Sequence, residues 1–191
     1  MISAHVGDLP DPGARGVGRY SRRALPPYRY VPGVRPHPNR DPAGHSYAPT
    51  LRPNRHAPWS PEDWRRLDDW LYGIDLFNAF YFWEAHEAWE GLWAAAERES
   101  APWLLLQGLI QIAAALLKTH MGVIAGARML SAEGLQKLGR AAEVYPILLG
   151  LDLRDVAARF AQYFAPLQHD RLPVVGADVP VLRLLDDGGA L

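Results

Sequence analysis

Trp103-Leu104-Leu105-Leu106-Gln107-Gly108-Leu109-Ile110-Gln111-Ile112-Ala113-Ala114-Ala115-Leu116-Leu117 is the most apolar stretch of the chain. It is shorter than the ~20 residues a membrane-spanning helix needs, and two glutamines interrupt it. It therefore reads as the core helix of a globular domain, running from about Pro102 to Met121, with Gly122 able to take the left-handed conformation that ends a helix. A second long helix follows at once, from about Val123 to Val144, and Pro146 stops it. Upstream, the pattern predicts a helix from about Phe80 to Glu97. Before that comes one opened by Ser60 as N-cap and Pro61 at the first helical position, in which Trp64, Leu67, Leu71 and Ile74 recur at helical spacing as far as about Phe77. A turn is expected near Asn78. Asp152 and Asp155 open a fifth helix whose Val156, Phe160, Tyr163 and Phe164 form one apolar stripe. Short connections predict an all-α fold, a compact bundle of about five helices in which two antiparallel hairpins are closed by the fifth helix.

That domain is expected to occupy residues 59–166, with an extended Pro/Arg-rich arm at 1–58 and an irregular tail at 167–191. Eleven of the seventeen prolines precede Trp59, too many for a helix or central strand to persist there. The arm through Arg23 is rich in Gly and Arg and is expected to be disordered. Its second part sets Tyr28, Tyr30, His37, His45 and Tyr47 among stiff prolines and is expected to lie ordered in a groove of the body. Charge points the same way: residues 1–59 carry nine Arg and three Asp, about +6, whereas residues 60–191 carry eleven Lys or Arg against eighteen Asp or Glu, about −7. Opposite fields draw the arm onto the body. In the tail, Val174-Val175 and Val179-Pro180-Val181-Leu182 are apolar enough to dock, on this chain or on a partner.

Composition also excludes. The chain has no cysteine, so disulfides, zinc ribbons, iron–sulfur clusters and thiol catalysis are absent, and any metal must be held by His and carboxylates. No phosphate-binding glycine loop or nucleophile elbow occurs. The arm lacks lysine and any repeating basic and aromatic pattern, which disfavours nucleic acid as a partner. Nothing near Met1 reads as a signal peptide, so the expected location is cytoplasmic, with no membrane association.

The candidate site lies on the second helix. Counting 100° per residue from Phe82, Trp89 falls at about 340°, Trp93 at about 20°, His86 at about 40° and Glu90 at about 80°. His86 and Glu90, at i and i+4, should be neighbours at the edge of the aromatic face; Glu87 falls at about 140° and Glu84 at about 200°, toward solvent. A carboxylate beside Trp83, Trp89 and Trp93 must be protonated, paired or bound to a cation. Either His86 pairs with Glu90 and braces the helix packing, or His86, Glu90 and Glu87 hold a divalent metal ion and leave positions open for water. His-Glu-Ala-Trp-Glu is not the zinc-protease motif, which needs a second His where Glu90 stands. Gln107, Gln111 and Lys118 form a narrow polar strip on the core helix, from which the glutamines are expected to meet the site as hydrogen-bonding supports or substrate contacts; Lys118 is expected to complement the helix C-terminus. His37 and His45 are the imidazoles of the arm that could add ligands.

These residues carry a resemblance. With Phe77-Asn78, Tyr81-Phe82, Glu84-Ala85-His86-Glu87, Trp89-Glu90, Trp93, Leu106-Gln107-Gly108-Leu109-Ile110-Gln111, Ala113-Ala114-Ala115-Leu116, Gly126-Ala127 and Leu130, residues 65–138 resemble domain-of-unknown-function family 309. The resemblance implies a small helical bundle whose motif falls at His86, Glu87, Glu90, Trp93, Gln107 and Gln111. Members are sometimes labelled predicted metal-dependent hydrolases. One departure is Phe80, where the family often has Gly.

Two readings follow. In one, the protein is a metal-dependent hydrolase of an unknown small substrate, with a divalent ion on His86 and Glu90, with Glu87 as third ligand or general base assisted by His86, and with Gln107, Gln111, Trp89 and Trp93 around the substrate. In the other it is a non-catalytic helical binding module, with a structural His86–Glu90 pair and an aromatic groove for the arm or a partner peptide. The partner expected is thus a small molecule or a peptide, and the oligomeric state is left open.

Overall fold

The computed structural model describes residues 8–49 and 58–185; the remainder of the expected arm and tail, at 1–7, 50–57 and 186–191, lies outside them. The fold is an all-α bundle of α1 (Asp68–Asn78), α2 (Phe82–Ala95), α3 (Ala101–His120), α4 (Ile124–Val144) and α5 (Leu153–Phe164). Each helix packs on the next in sequence, as two antiparallel hairpins and a closing helix require.

The first helix starts later than its sequence suggests. Residues Pro61–Arg66 form a 3-10 helix, Leu67 (φ −78°, ψ 88°) breaks it, and α1 begins at Asp68. Ser60 caps nothing, because its hydroxyl bonds the Glu62 carboxylate instead. Trp64 lies over Gly150, where a Cβ would come within 2.7 Å of the indole. Gly150 belongs to a small feature that helical periodicity does not reveal: Ile147–Leu148 (β1) pairs antiparallel with Leu151–Asp152 (β2). Leu149 and Gly150 turn between them at φ 50° and 77°, the pair of positive values a tight two-residue hairpin needs. Asp152 then caps α5 as expected, accepting from Arg154 N (3.1 Å) and Asp155 N (3.0 Å).

Between α1 and α2 the chain turns at Phe80, which takes φ 66° with its ring fully buried. A non-glycine residue there stores backbone strain of about 1 kcal/mol or more, offset by burying an aromatic side chain in the core. The turn is tight without glycine. Arg15 of the arm lays its guanidinium 3.8 Å from the centre of that ring. Desolvation lowers the Arg15 pKa to about 10.

Trp89 is the centre of the α1–α2 contact, fully buried between Trp70 and Phe77 (ring centroids 6.0 and 6.1 Å) and seated on Gly73. On α3, Gly108 and Gly134 of α4 let two backbones meet; a Cβ on Gly134 would stand 2.9 Å from the Gly108 carbonyl oxygen. By length and composition α3 could cross a membrane, but most of it is buried inside the bundle, as in a core helix.

The described residues of the arm have no helix or strand, yet several of them are bound to the body. The disorder expected through Arg23 does not hold for residues 8–23. Leu9 is buried, Arg19 approaches Asp75 at 3.4 Å, and Arg23 pairs with Asp69 (2.5 Å) and Asp68 (3.4 Å). The decisive anchor is Asp75, which accepts Tyr20 N (2.7 Å), Ser21 N (2.8 Å) and Ser21 Oγ (2.8 Å). Tyr72 and Tyr81 of the body donate to the arm carbonyls of Ala24 (2.9 Å) and Pro26 (3.0 Å). A chain poor in apolar residues is thus held by hydrogen bonds between its own backbone and side chains of α1 and the start of α2. The tail docks on this chain too: Asn78 brackets Leu182, donating to its carbonyl (2.8 Å) and accepting its N–H (2.9 Å). Asn78 therefore ends α1 and holds the C-terminal segment with one side chain.

Candidate functional site

One turn of α2 brings His86, Glu87 and Glu90 together, as i, i+1 and i+4 positions must. Candidate ligand atoms of the three lie within 4.8 Å of one another. His86 Nε2 and Glu90 Oε1 are 3.0 Å apart, and His86 Nδ1 and Glu87 Oε1 are 3.7 Å apart. The side chains of His86 and Glu90 are 25% and 48% exposed, so the cluster opens to solvent at the edge of the helix. The demand that burial places on Glu90 is weaker than the wheel implies. The fully buried face of α2 centres on Ala85, Trp89 and Leu92 rather than on Phe82, which turns Glu90 outward.

The electrostatics separate the two carboxylates. Burial lifts the Glu87 pKa above the ordinary range, and the charge of Glu90 adds to this against the opposing pull of His86, Asn39 and His37. Glu90 is held below the ordinary range by the hydrogen bond from His86, against its partial burial. Burial pulls His86 toward neutrality, but the hydrogen bond and charge of Glu90, then the charge of Glu87, outweigh it and raise its pKa. The Trp83 carbonyl adds to the rise, although His86 Nδ1 is buried without a hydrogen bond of ordinary geometry.

The arm forms a wall of this site. Asn39 Nδ2 donates to Glu87 Oε2 at 2.6 Å. The His37 ring packs edge-on against Trp83 (5.2 Å) and near Tyr30 (5.0 Å), and Trp83 lies 6.3 Å from the His86 ring. His37 reaches the neighbourhood of Glu87 but is not among the three clustered ligand residues, and its Nδ1 accepts Asn39 N (3.3 Å). His45 goes elsewhere: its Nε2 lies 3.2 Å from Glu84 Oε1, and both side chains are 5% exposed. Glu84 also accepts Tyr30 N at 2.8 Å. The solvent position that periodicity assigns to Glu84 is overturned because the arm covers that side of α2. The signal that could have found it is the grouping of prolines, tyrosines and histidines in the arm beside a carboxylate on α2.

The supporting residues divide. Trp89 is a core residue whose Nε1 donates to the Trp70 carbonyl (3.4 Å), and it does not face the site. Trp93 is half-buried against Trp103 (5.6 Å). That contact sets the register of the α2–α3 hairpin and places Gln107, one turn beyond Trp103, level with Glu90, one turn before Trp93. Gln107 Oε1 and Trp93 Nε1 are both buried without a partner. Gln111 instead turns to α4, donating to Glu133 at 2.6 Å, with its own Oε1 unpaired. Neither glutamine hydrogen-bonds His86 or Glu90. Lys118 packs its stem beside Gly126 near the end of α3. A cleft of about 890 Å³ lies elsewhere, between Trp59, Trp64, the α3 N-terminus and the β1–β2 hairpin, and none of the three clustered residues lines it.

The donor set fits a divalent cation. Two ligands on opposite sides of an ion at 2.0–2.2 Å lie about 4.2 Å apart; the three atoms lie within 4.8 Å of one another, and Glu87 and Glu90 approach opposite ring nitrogens of His86, so the side chains would have to draw together on one nitrogen to share an ion. One imidazole and two carboxylates suit Zn²⁺, Mn²⁺ or Fe²⁺.

Residues 70–130 match the family model described as domain of unknown function (DUF309), which covers α1, α2, α3 and the start of α4 and contains all three clustered residues. No curated protein and no solved structure matches the chain.

Proposed function

From a helical core that belongs to the DUF309 family, we propose that this protein is a metal-dependent hydrolase acting on a small substrate at the outer edge of α2. The observation that carries the reading is the convergence of His86, Glu87 and Glu90 at a solvent-open position on one helical turn. A divalent ion held by these residues would supply Lewis acidity toward a water or a substrate oxygen, with positions left open for both. The chain's own groups then have distinct tasks. Glu90, hydrogen-bonded to His86, would ligate the ion beside it, and Glu87 would serve as third ligand or, where it does not ligate, as general base toward a bound water. Trp83, Trp93 and Gln107 flank the position a substrate would take.

A second reading has its own observation. The His86–Glu90 contact of 3.0 Å is complete without an ion, and the arm already covers Trp83 and Glu84. On that reading the pair braces α2 beneath a bound arm in a non-catalytic module. Elemental analysis of purified protein beside a His86→Ala control, with melting curves in added Mn²⁺ and Zn²⁺, separates the two. The hydrolase reading expects a stoichiometric metal lost in the variant, or a melting temperature raised by the ions only in the wild type. Metal-free protein whose melting ignores both ions would overturn it.

A further inference from the structure

Glu87 is reached by a donor that stands 48 residues away in sequence, and the loop carrying this donor is built to hold it still. Residues 36–47 fold back on themselves: Asp41 N bonds the His37 carbonyl (3.1 Å), Gly44 N the Asp41 carbonyl (2.8 Å) and Ser46 N the Pro38 carbonyl (3.1 Å). Ala43 N bonds Asp41 Oδ1 (2.9 Å). Tyr28 OH ties the two ends, donating to the Pro36 carbonyl (2.9 Å) and accepting His45 N (3.2 Å). At Gly44 a Cβ would overlap the carbonyl oxygens of Pro38 and His37, so the loop closes only on glycine. The Tyr30 N–H and His45 then fasten the loop to Glu84, one helical turn before Glu87.

The choice of donor is informative. Glu87 is about one-third exposed and has water at hand, so solvation alone does not require a dedicated partner at 2.6 Å. The described arm also carries seven arginines, any of which would cancel the charge of the carboxylate. What it presents is a neutral amide, which orients a carboxylate and leaves its charge available. With Oε2 engaged by Asn39, Oε1 is the oxygen turned toward His86.

We propose that Asn39 is a positioning residue of this site: carried in by the arm, it fixes Glu87 so that Oε1 stays on the His86 side, within the three-residue cluster that would hold a divalent cation. The inference rests on the metal reading above and adds that the arm is part of the ion's coordination architecture. Hydrogen-bond partners of metal-ligating carboxylates typically contribute 10–100-fold to affinity.

The test is calorimetric titration of Mn²⁺ into the metal-free, full-length protein, comparing wild type, Asn39→Ala and Ser21→Ala. Ser21→Ala weakens the docking of the arm at Asp75 without touching the loop. The expected result is Mn²⁺ binding weakened about 10–100-fold by Asn39→Ala and changed less than about twofold by Ser21→Ala. If Asn39→Ala does not fold, Asn39→Ser, too short to reach Glu87, takes its place. Equal affinity in the Asn39 variant and the wild type would overturn the positioning role and leave the metal reading standing. Equal weakening by both substitutions would also overturn it, because the arm would then act only by being docked. A wild type that takes up no Mn²⁺ would overturn both.

Discussion

Replacing Asp75 by asparagine keeps the shape of the side chain and removes one acceptor. The aspartate is 1% exposed and receives three hydrogen bonds from Tyr20 and Ser21, with Arg19 nearby at 3.4 Å. An asparagine with its carbonyl toward Ser21 retains those two bonds as neutral ones, each weaker by about 1 kcal/mol than a bond to a charged acceptor. Its NH2 then faces the Tyr20 N–H, which loses its partner at about 1–3 kcal/mol. The sum, about 3–5 kcal/mol, acts on the docking of the arm, because the helices can remain folded when residues 8–23 lift away. At about 1.4 kcal/mol per tenfold, the open population rises by more than a hundredfold. Trypsin under native conditions reports that population at Arg19, Arg22 and Arg23 when opening and closing are fast relative to cleavage. Asp75→Asn is expected to speed cleavage there at least a hundredfold while the urea m-value of the body stays unchanged. Cleavage within about threefold of wild type would show that Asp75 does not hold the arm, and the argument would fail at its first step.

Glu90→Gln should lower the His86 titration midpoint followed by NMR, since the hydrogen bond and charge of Glu90 are the largest influences raising it. A raised folded-state pKa for His86 stabilises the fold fully below the unfolded value and loses that contribution as pH rises through the raised one, while the lowered Glu90 pKa acts in reverse. The pair therefore contributes between about pH 4.5 and 6.5. With both side chains partly exposed, the contribution stays under about 1 kcal/mol in urea unfolding; an unchanged midpoint would contradict the geometry. Gly73→Ala places a methyl against the buried Trp89 indole and should cost about 1–3 kcal/mol, seen as a lower melting temperature; a variant as stable as wild type would mean that Trp89 does not sit on Gly73. Asn78→Ala leaves Leu182 N–H and C=O unbracketed, and faster hydrogen exchange at Leu182 and Leu184 is expected, with the helical core unaffected.

The bundle was legible because each helix carries its own signal: an apolar stripe at helical spacing and a stop at Gly or Pro. Ser60-Pro61 misled on the first helix, because an N-cap sequence competes with tertiary contacts and the packing of Trp64 over Gly150 goes with a 3-10 turn instead. Phe80 could not be read as a left-handed residue, since nothing local favours that conformation and burial of its ring in the core compensates for it. His86, Glu87 and Glu90 were legible for the simplest reason: neighbours on one helical turn are fixed by the helix itself.

Partners from other elements were not legible in that way. A wheel drawn for one helix assumes a single covered face, but α2 is covered twice, by the bundle along Ala85, Trp89 and Leu92 and by the arm along Trp83, Glu84 and Glu87. The second covering overturned Glu84, sent His45 to it, and brought Asn39, which has no signal of its own in the sequence, to Glu87. The arm has few large apolar side chains to pack, and much of its path is set by hydrogen bonds to buried acids at Asp75 and Glu84, which leave no periodic trace. If Asn39 positions a ligand, that has a consequence for how the site is assembled. The helical domain supplies the ligating atoms and the arm supplies their orientation, so a chain trimmed to residues 59–191 would retain His86, Glu87 and Glu90 and lose the constraint that turns Glu87 Oε1 toward His86.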